Sequence, residues 1–135
     1  MSFTHEWKFT VLEGHLDTFA HMNHATYLQI FEQARWDLIT NRGFGLKVIQ
    51  ETQVGPVILE ANIKYQKELK LREEITIRTT AEPYRGKFGV VKQQMFKPNG
   101  DIAADLAVTF GLFDMKERKL IGPTASWLHA IGLSG

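Results

Sequence analysis

One stretch of helical periodicity followed by four stretches of period two restricts this chain to few architectures. From His24 to about Thr40, the residues Tyr27, Phe31, Ala34 and Leu38 fall at i, i+4, i+7 and i+11, with Leu28, Arg35 and Ile39 beside them. That spacing predicts one long amphipathic helix. From Gly55 the period changes to two. Val57, Leu59, Ala61, Ile63 and Tyr65 alternate with Ile58, Glu60, Asn62, Lys64 and Gln66. Strands are also predicted over Glu73–Glu82, with Ile75 and Ile77 on one face, and over Lys87–Lys97. The clearest runs from Ile102 through Ala104, Leu106, Val108 and Phe110 to Leu112, and its apolar face is predicted to lie on the helix. An earlier strand, Glu6–Leu12, carries Trp7, Phe9 and Val11 on one parity.

The connections decide how these pieces pair. Pro83 and Gly86 mark one turn, and Pro98-Asn99-Gly100-Asp101 is a strong hairpin signal. Short turns join antiparallel neighbours, because parallel strands need long crossovers. The expected class is therefore α+β, an antiparallel sheet of five strands with one helix against a face. Asn23 is the expected helix N-cap and Gly43 the stop. Glu13–His21 reads as loop, and a short helical turn is expected around Leu46–Glu51. One helix covers little of so long a sheet, which with its edges predicts a homo-oligomer.

At 135 residues, 44% of them apolar and 23% charged, the chain is expected to form a single domain over 1–135. The formal net charge of +1 argues against a general polyanion binder, and no nucleic-acid recognition module is visible. The absence of cysteine excludes disulfides, thiolate metal sites and cysteine nucleophiles. MSFTHEWKF lacks the basic start and apolar stretch of a signal peptide. No apolar run approaches the roughly 20 residues that span a bilayer. A soluble, cytoplasmic protein without a membrane partner is expected.

The chemistry concentrates in Asp17–Arg35, DTFAHMNHATYLQIFEQAR. A carboxylate in a polar loop precedes a His-Met-Asn-His stretch and then the helix. A helix N-terminus offers free backbone N–H groups suited to a developing oxyanion. One short segment can therefore hold both halves of an acyl-transfer site. His15, His21 and His24 match no established metal-ligand spacing, so no metal is expected. His5 and His129 read as surface or packing residues. Glu32 and Arg35, at i and i+3, read as an ion pair at the helix–sheet or dimer seam.

Asp17-Thr18-Phe19-Ala20-His21-Met22-Asn23 resembles the D-x-x-G-H-(V/M)-N motif of the 4-hydroxybenzoyl-CoA thioesterase-like group of acyl-CoA thioesterases. Ala25-x-Tyr27-Leu28-x-x-Phe31-Glu32-x-Ala34-Arg35 continues the match. Tyr65, the Asn99-Gly100 hairpin and the Asp114–Pro123 tail extend it over nearly the whole chain. Two positions depart: Ala20 stands where the group usually has Gly, and His15 where many relatives carry an acid. The resemblance implies the hotdog fold, a five-stranded antiparallel sheet wrapped around one long central helix. It implies that Asp17 attacks the thioester carbonyl or activates a water. It also implies that the N–H near His24 faces the thioester oxygen, while Asn23 caps or orients.

Against this background Lys64, Arg85 and Lys87, with Lys67 and Lys92, are candidates to contact the phosphates of coenzyme A near a dimer groove. The neutral alternative is a solvated face. Trp36, Phe44 and Trp127 are candidates for an acyl pocket, with core packing as the default. Glu60 reads as solvent-facing, with the tunnel of a neighbouring subunit as the alternative. The expected function is hydrolysis of an acyl-CoA to free acid and CoA. No cofactor is expected beyond the CoA of the substrate. The expected assembly is a homodimer or homotetramer with active sites at the dimer interface. An acyl-thioester hydratase or dehydratase, and a non-catalytic acyl-CoA binding protein, are the alternatives on the same fold. The acyl group is not legible in the sequence.

Overall fold

The structure, a computed structural model, describes residues 3–133. The chain runs β1 (His5–Thr10), α1 (His24–Asn41), α2 (Leu46–Thr52), β2 (Val54–Tyr65), β3 (Glu74–Ala81), β4 (Phe88–Phe96), β5 (Ile102–Asp114), β6 (Lys119–Ile121) and α3 (Ala125–Ala130). The strands form one antiparallel sheet in the order β1-β3-β4-β5-β2, and short β6 pairs with the end of β5. Five long strands curl around α1 in the hotdog arrangement, and β6 adds a sixth.

α1 starts where expected. Asn23 is extended (φ −64°, ψ 144°), and its side-chain oxygen accepts from the Ala25 N–H. The helix closes at Arg42, followed by Gly43 at φ +90°. Its buried face is Tyr27, Ile30, Phe31, Ala34, Leu38 and Ile39. Two apolar clusters lie beneath it. One joins Phe31 and Ala34 to Ile75, Ile77, Met95, Leu106 and Val108. The other joins Leu38 and Ile39 to Phe44, Val91, Phe110, Leu112 and Trp127. The alternation in β5 is as expected, with Ala104, Leu106, Val108, Phe110 and Leu112 all buried.

Two expectations are corrected. First, β2 and β3 are consecutive but not neighbours. β2 forms one edge of the sheet, paired with β5, while β3 lies between β1 and β4. The link between them crosses the N-terminal end of α1, anchored by fully buried Leu69. Second, β2 does not keep one parity. Ile58 faces Phe110 and Glu60 faces Thr109, so Leu59 is an extra residue in a β-bulge. The bulge exchanges the two faces. Ile58 before it and Ala61, Ile63 and Tyr65 after it share the α1 side, while Glu60, Asn62 and Lys64 share the outer side. Glu60 is exposed, in keeping with a solvent-facing residue.

Candidate active site

The loop before α1 is a closed backbone structure. The Asp17 N–H donates to the His21 carbonyl at 2.8 Å, and the Ala20 N–H donates to the Asp17 carbonyl at 3.1 Å. Leu16 and Met22 form an isolated antiparallel bridge. The Asn23 N–H donates to the His15 carbonyl at 3.2 Å, and the Met22 N–H to the Leu69 carbonyl at 3.2 Å. Ala20 closes the turn at φ +62°, a left-handed conformation that suits glycine. Ala20 thus keeps the backbone shape that glycine adopts readily. His15 serves the loop, its Nδ1 accepting from the Leu12 N–H at 2.9 Å.

This framework holds the Asp17 carboxylate. Oδ1 accepts from the Phe19 N–H at 2.9 Å and the His21 N–H at 3.4 Å. Oδ2 has no partner among the described residues. The Ala25 N–H is taken by Asn23 Oδ1, and the Thr26 and Tyr27 N–H groups donate to the Asn23 carbonyl at 2.9 and 3.4 Å. The His24 N–H, first in the helix, finds no acceptor among the described residues. One carboxylate oxygen and one N–H donor are therefore free at the helix start.

Asp17, His21, Met22, His24, Tyr27, Tyr65, Gln66, Lys67 and Glu68 line an open cleft of about 410 Å³. The crossing link supplies its far wall. His21 Nε2 lies 2.9 Å from Glu68 Oε2. The Tyr27 hydroxyl donates to the Lys67 carbonyl at 3.3 Å, and the Tyr65 hydroxyl to the His24 carbonyl at 3.0 Å. The two rings meet edge to face, centroids 5.1 Å apart. Burial raises the Tyr27 hydroxyl above its ordinary pKa. Glu68 escapes a sequence reading because 47 residues separate it from His21, and the bond from Tyr27 to the Lys67 carbonyl likewise spans 40 residues. The link carries two apolar residues, Leu69 and Leu71, and of these Leu69 is buried.

Asp17, Asn23 and His24 thus come together, and of the basic candidates Lys67 joins them within one chain while Lys64, Arg85 and Lys87 do not. Lys64 stands on the outer face of the sheet, in a broad polar hollow with Asn62, Arg78, Lys92 and Asp105. Arg85 and Lys87 belong to the β3–β4 turn, where Phe88 pairs with Gly111. Tyr65, beside the cleft, pairs with Ala104. Seven residues of β5 separate those levels, about 23 Å. Lys67 lines the cleft itself.

A second cavity, about 100 Å³, lies between the later turns of α1 and the sheet. Its lining includes Arg35, Trp36, Ile58, Val108, Phe110 and Trp127. Phe44 packs edge to face on Trp127 in the core behind it. The Glu32–Arg35 ion pair expected from spacing does not form. Arg35 Nη1 donates to Gln93 Oε1 at 2.9 Å instead, because the guanidinium folds inward while Glu32 stays exposed. Burial lowers the pKa of Arg35, and the charge of Glu32 opposes that shift. His5 is a packing residue, with Nε2 2.9 Å from Asp37 Oδ2. Among the described residues no three His, Asp or Glu side chains gather as a metal would require, and no helix is long and apolar enough to cross a membrane.

The chain is similar to known proteins in sequence and in fold. The long-chain acyl-CoA thioesterase FadM of Escherichia coli (strain K12) is 32% identical over 108 residues, covering 79% of this chain and 81% of FadM. The structure of SAV2348 from Staphylococcus aureus, solved in complex with CoA, superposes with a TM-score of 0.87 at 24% identity, covering 97% of this chain and 82% of that one. Slr0204 from Synechocystis, a 1,4-dihydroxy-2-naphthoyl-CoA thioesterase, has the same fold, with a TM-score of 0.87 at 14% identity over 95% of each chain. A sequence model of the thioesterase-like superfamily matches residues 11–130. With its hotdog sheet and the Asp17 loop at the start of α1, the chain belongs to the thioesterase-like superfamily.

Proposed function

We propose that this protein hydrolyses acyl-CoA thioesters to a carboxylic acid and CoA. The observation that carries the reading is the free Asp17 Oδ2 in one cleft with the free His24 N–H. A thioester carbonyl seated there directs its oxygen at the helix N-terminus, where developing negative charge is stabilised. As general base, Asp17 takes a proton from water while the water oxygen bonds to the carbonyl carbon. The tetrahedral intermediate then collapses, the C–S bond breaks, and the thiolate leaves to be protonated. As nucleophile, Asp17 forms an acyl anhydride with loss of the thiolate, and water then hydrolyses it. The test is thiol release from a panel of acyl-CoAs by wild type and Asp17→Asn. Turnover that falls by about a hundredfold or more supports the reading; undiminished turnover in the variant overturns it. A single turnover in ¹⁸O-water that leaves label on Asp17 identifies the nucleophile route, in which water opens the anhydride at the Asp17 carboxyl carbon.

The working unit in this reading is a dimer formed through β2. That strand is a free edge, and Ile58 and Leu59 are 49% and 47% exposed. Antiparallel pairing of β2 with a second copy places the Val54 end of one strand beside the Tyr65 end of the other. Arg85 and Lys87 of one copy then lie toward the Asp17 cleft of the other, where the phosphates of CoA need cations. Sedimentation equilibrium checks this reading. Twice the chain mass of 15.4 kDa, or a higher even multiple, supports it. A monomer under assay conditions overturns it.

A further inference from the structure

Arg35 is chemically out of place in the cavity it lines. The walls are mostly hydrocarbon: Leu38, Ile39, Val91, Val108 and Phe110, with Ile58 at the open side. Polar atoms enter from Arg35, Glu32 and Thr79. Thr79 is engaged, since Gln93 Nε2 donates to its hydroxyl at 3.0 Å and to the Phe31 carbonyl at 3.0 Å. Gln93 Oε1 is engaged by Arg35 Nη1. A guanidinium has five N–H donors, and no further acceptor for Arg35 is found among the described residues. No carboxylate lies within 4.0 Å of it among them. Gln93 thus fixes one nitrogen and leaves the rest of the planar fork available.

The cavity sits at a telling distance from the cleft. His24 and Arg35 are eleven residues apart on one helix, about 16 Å along its axis. β2 meets α1 at both levels, where Tyr65 bonds to the His24 carbonyl and where Ile58 lines the cavity with Arg35, and the line between them is the seam an acyl chain would follow. Leu28 on the helix and Ile58 and Tyr65 on the strand are 38%, 49% and 46% exposed along it. An acyl group attached at the cleft and lying in this seam reaches Arg35 with its far end. The space there, about 100 Å³, is smaller than the roughly 150 Å³ that accepts a benzene. It takes a terminal group and a few carbons.

We propose that this seam binds an extended acyl chain ending in a carboxylate, and that Arg35 reads that terminus. A methyl end there would remove more water from the guanidinium and return no hydrogen bond. A carboxylate accepts two parallel N–H donors from the fork and balances its charge. The proposal rests on the thioesterase reading for the orientation of the chain, and not for the recognition by Arg35.

The probes are dodecanoyl-CoA and the mono-CoA thioester of dodecanedioic acid, with methyl dodecanoate and the monomethyl ester of dodecanedioic acid as direct binding partners for Asp17→Asn. Charge-assisted hydrogen bonds of this kind predict a preference of about tenfold to a hundredfold for the ω-carboxy member of each pair. Arg35→Met should abolish the preference, and Arg35→Lys should retain part of it. Equal or reversed preference in both pairs, with Arg35 intact, overturns the proposal even where the Arg35 variants fail to fold. Preferential binding of the diacid monoester with no hydrolysis of either thioester leaves the proposal standing and removes the thioesterase reading. A methyl-ended preference with hydrolysis does the reverse.

Discussion

The Tyr65 hydroxyl donates to the carbonyl of His24 at 3.0 Å, joining the last residue of β2 to the first residue of α1. This bond aims the free His24 N–H, since the peptide planes on either side of that residue are then held by strand and loop together. Tyr65→Phe keeps the ring contact with Tyr27 and removes only the bond. The expected result is a fall in kcat of about tenfold, as one hydrogen bond is lost, with KM little changed. Unchanged kcat would show that Asn23 alone sets the N–H direction.

Asn23→Ala removes the acceptor for the Ala25 N–H. The expected loss of stability is about 1 kcal/mol, read from urea unfolding, and Asn23→Ser should recover most of it. Activity should fall further than stability explains, because a second free N–H then competes for the position of the oxyanion.

Ala20→Gly tests the turn. A non-glycine residue at φ +62° carries a local cost of about 1 kcal/mol or more. Glycine removes it but adds roughly 0.4–1 kcal/mol of unfolded-chain entropy. The expected net effect is a small gain in stability, below about 1 kcal/mol, with activity retained. A clear loss of stability would mean that the Ala20 methyl group stabilises the loop.

Gln93→Leu should be severe. Gln93 is fully buried and serves Phe31, Thr79 and Arg35 at once. Its loss strands a partly buried guanidinium, a buried hydroxyl and a carbonyl. A cost of about 3 kcal/mol or more is expected from chemical denaturation. Gln93→Glu, which can still accept from Arg35, should cost less.

Alkaline stability should follow two tyrosines, buried Tyr27 and half-buried Tyr84. Burial holds the hydroxyls of Tyr27 and Tyr84 above the ordinary value of 10.0, so the folded state keeps protons that the unfolded chain has released. Their contribution is complete below about pH 10 and declines as pH rises through the raised folded values. Unfolding midpoints measured between pH 9 and 11.5 should drop, and Tyr27→Phe or Tyr84→Phe should make the drop shallower. An identical pH slope in both variants would assign the alkaline loss to other groups.

Local signals in the sequence carried well, and long-range ones did not. The period of α1, the Asn23 cap, the Gly43 stop and the alternation of β5 all depend on neighbours a few residues away, and all appear in the structure. β6 and α3 span three and six residues, too short for any period to register. A turn-length argument does not reach the β2–β3 crossing, because it applies to a link that stays beside its strands. This one is drawn over the helix by Leu69. Helical spacing alone pairs Arg35 with Glu32. Its true partner, Gln93, lies 58 residues away on β4, between Lys92 and Gln94 in sequence and on the buried face with Val91 and Met95. The Asp17 loop itself was readable because its chemistry is local.

The extra residue at Leu59 makes β2 intolerant of changes in length. Before it, Ile58 looks toward α1; after it, Ala61, Ile63 and Tyr65 do, and Glu60, Asn62 and Lys64 look outward. Removing one residue there would turn three polar side chains onto the helix and carry the Tyr65 hydroxyl to the opposite surface, away from His24. A single deletion would disconnect the far end of the seam from its beginning, although every side chain of the Asp17 loop remained in place.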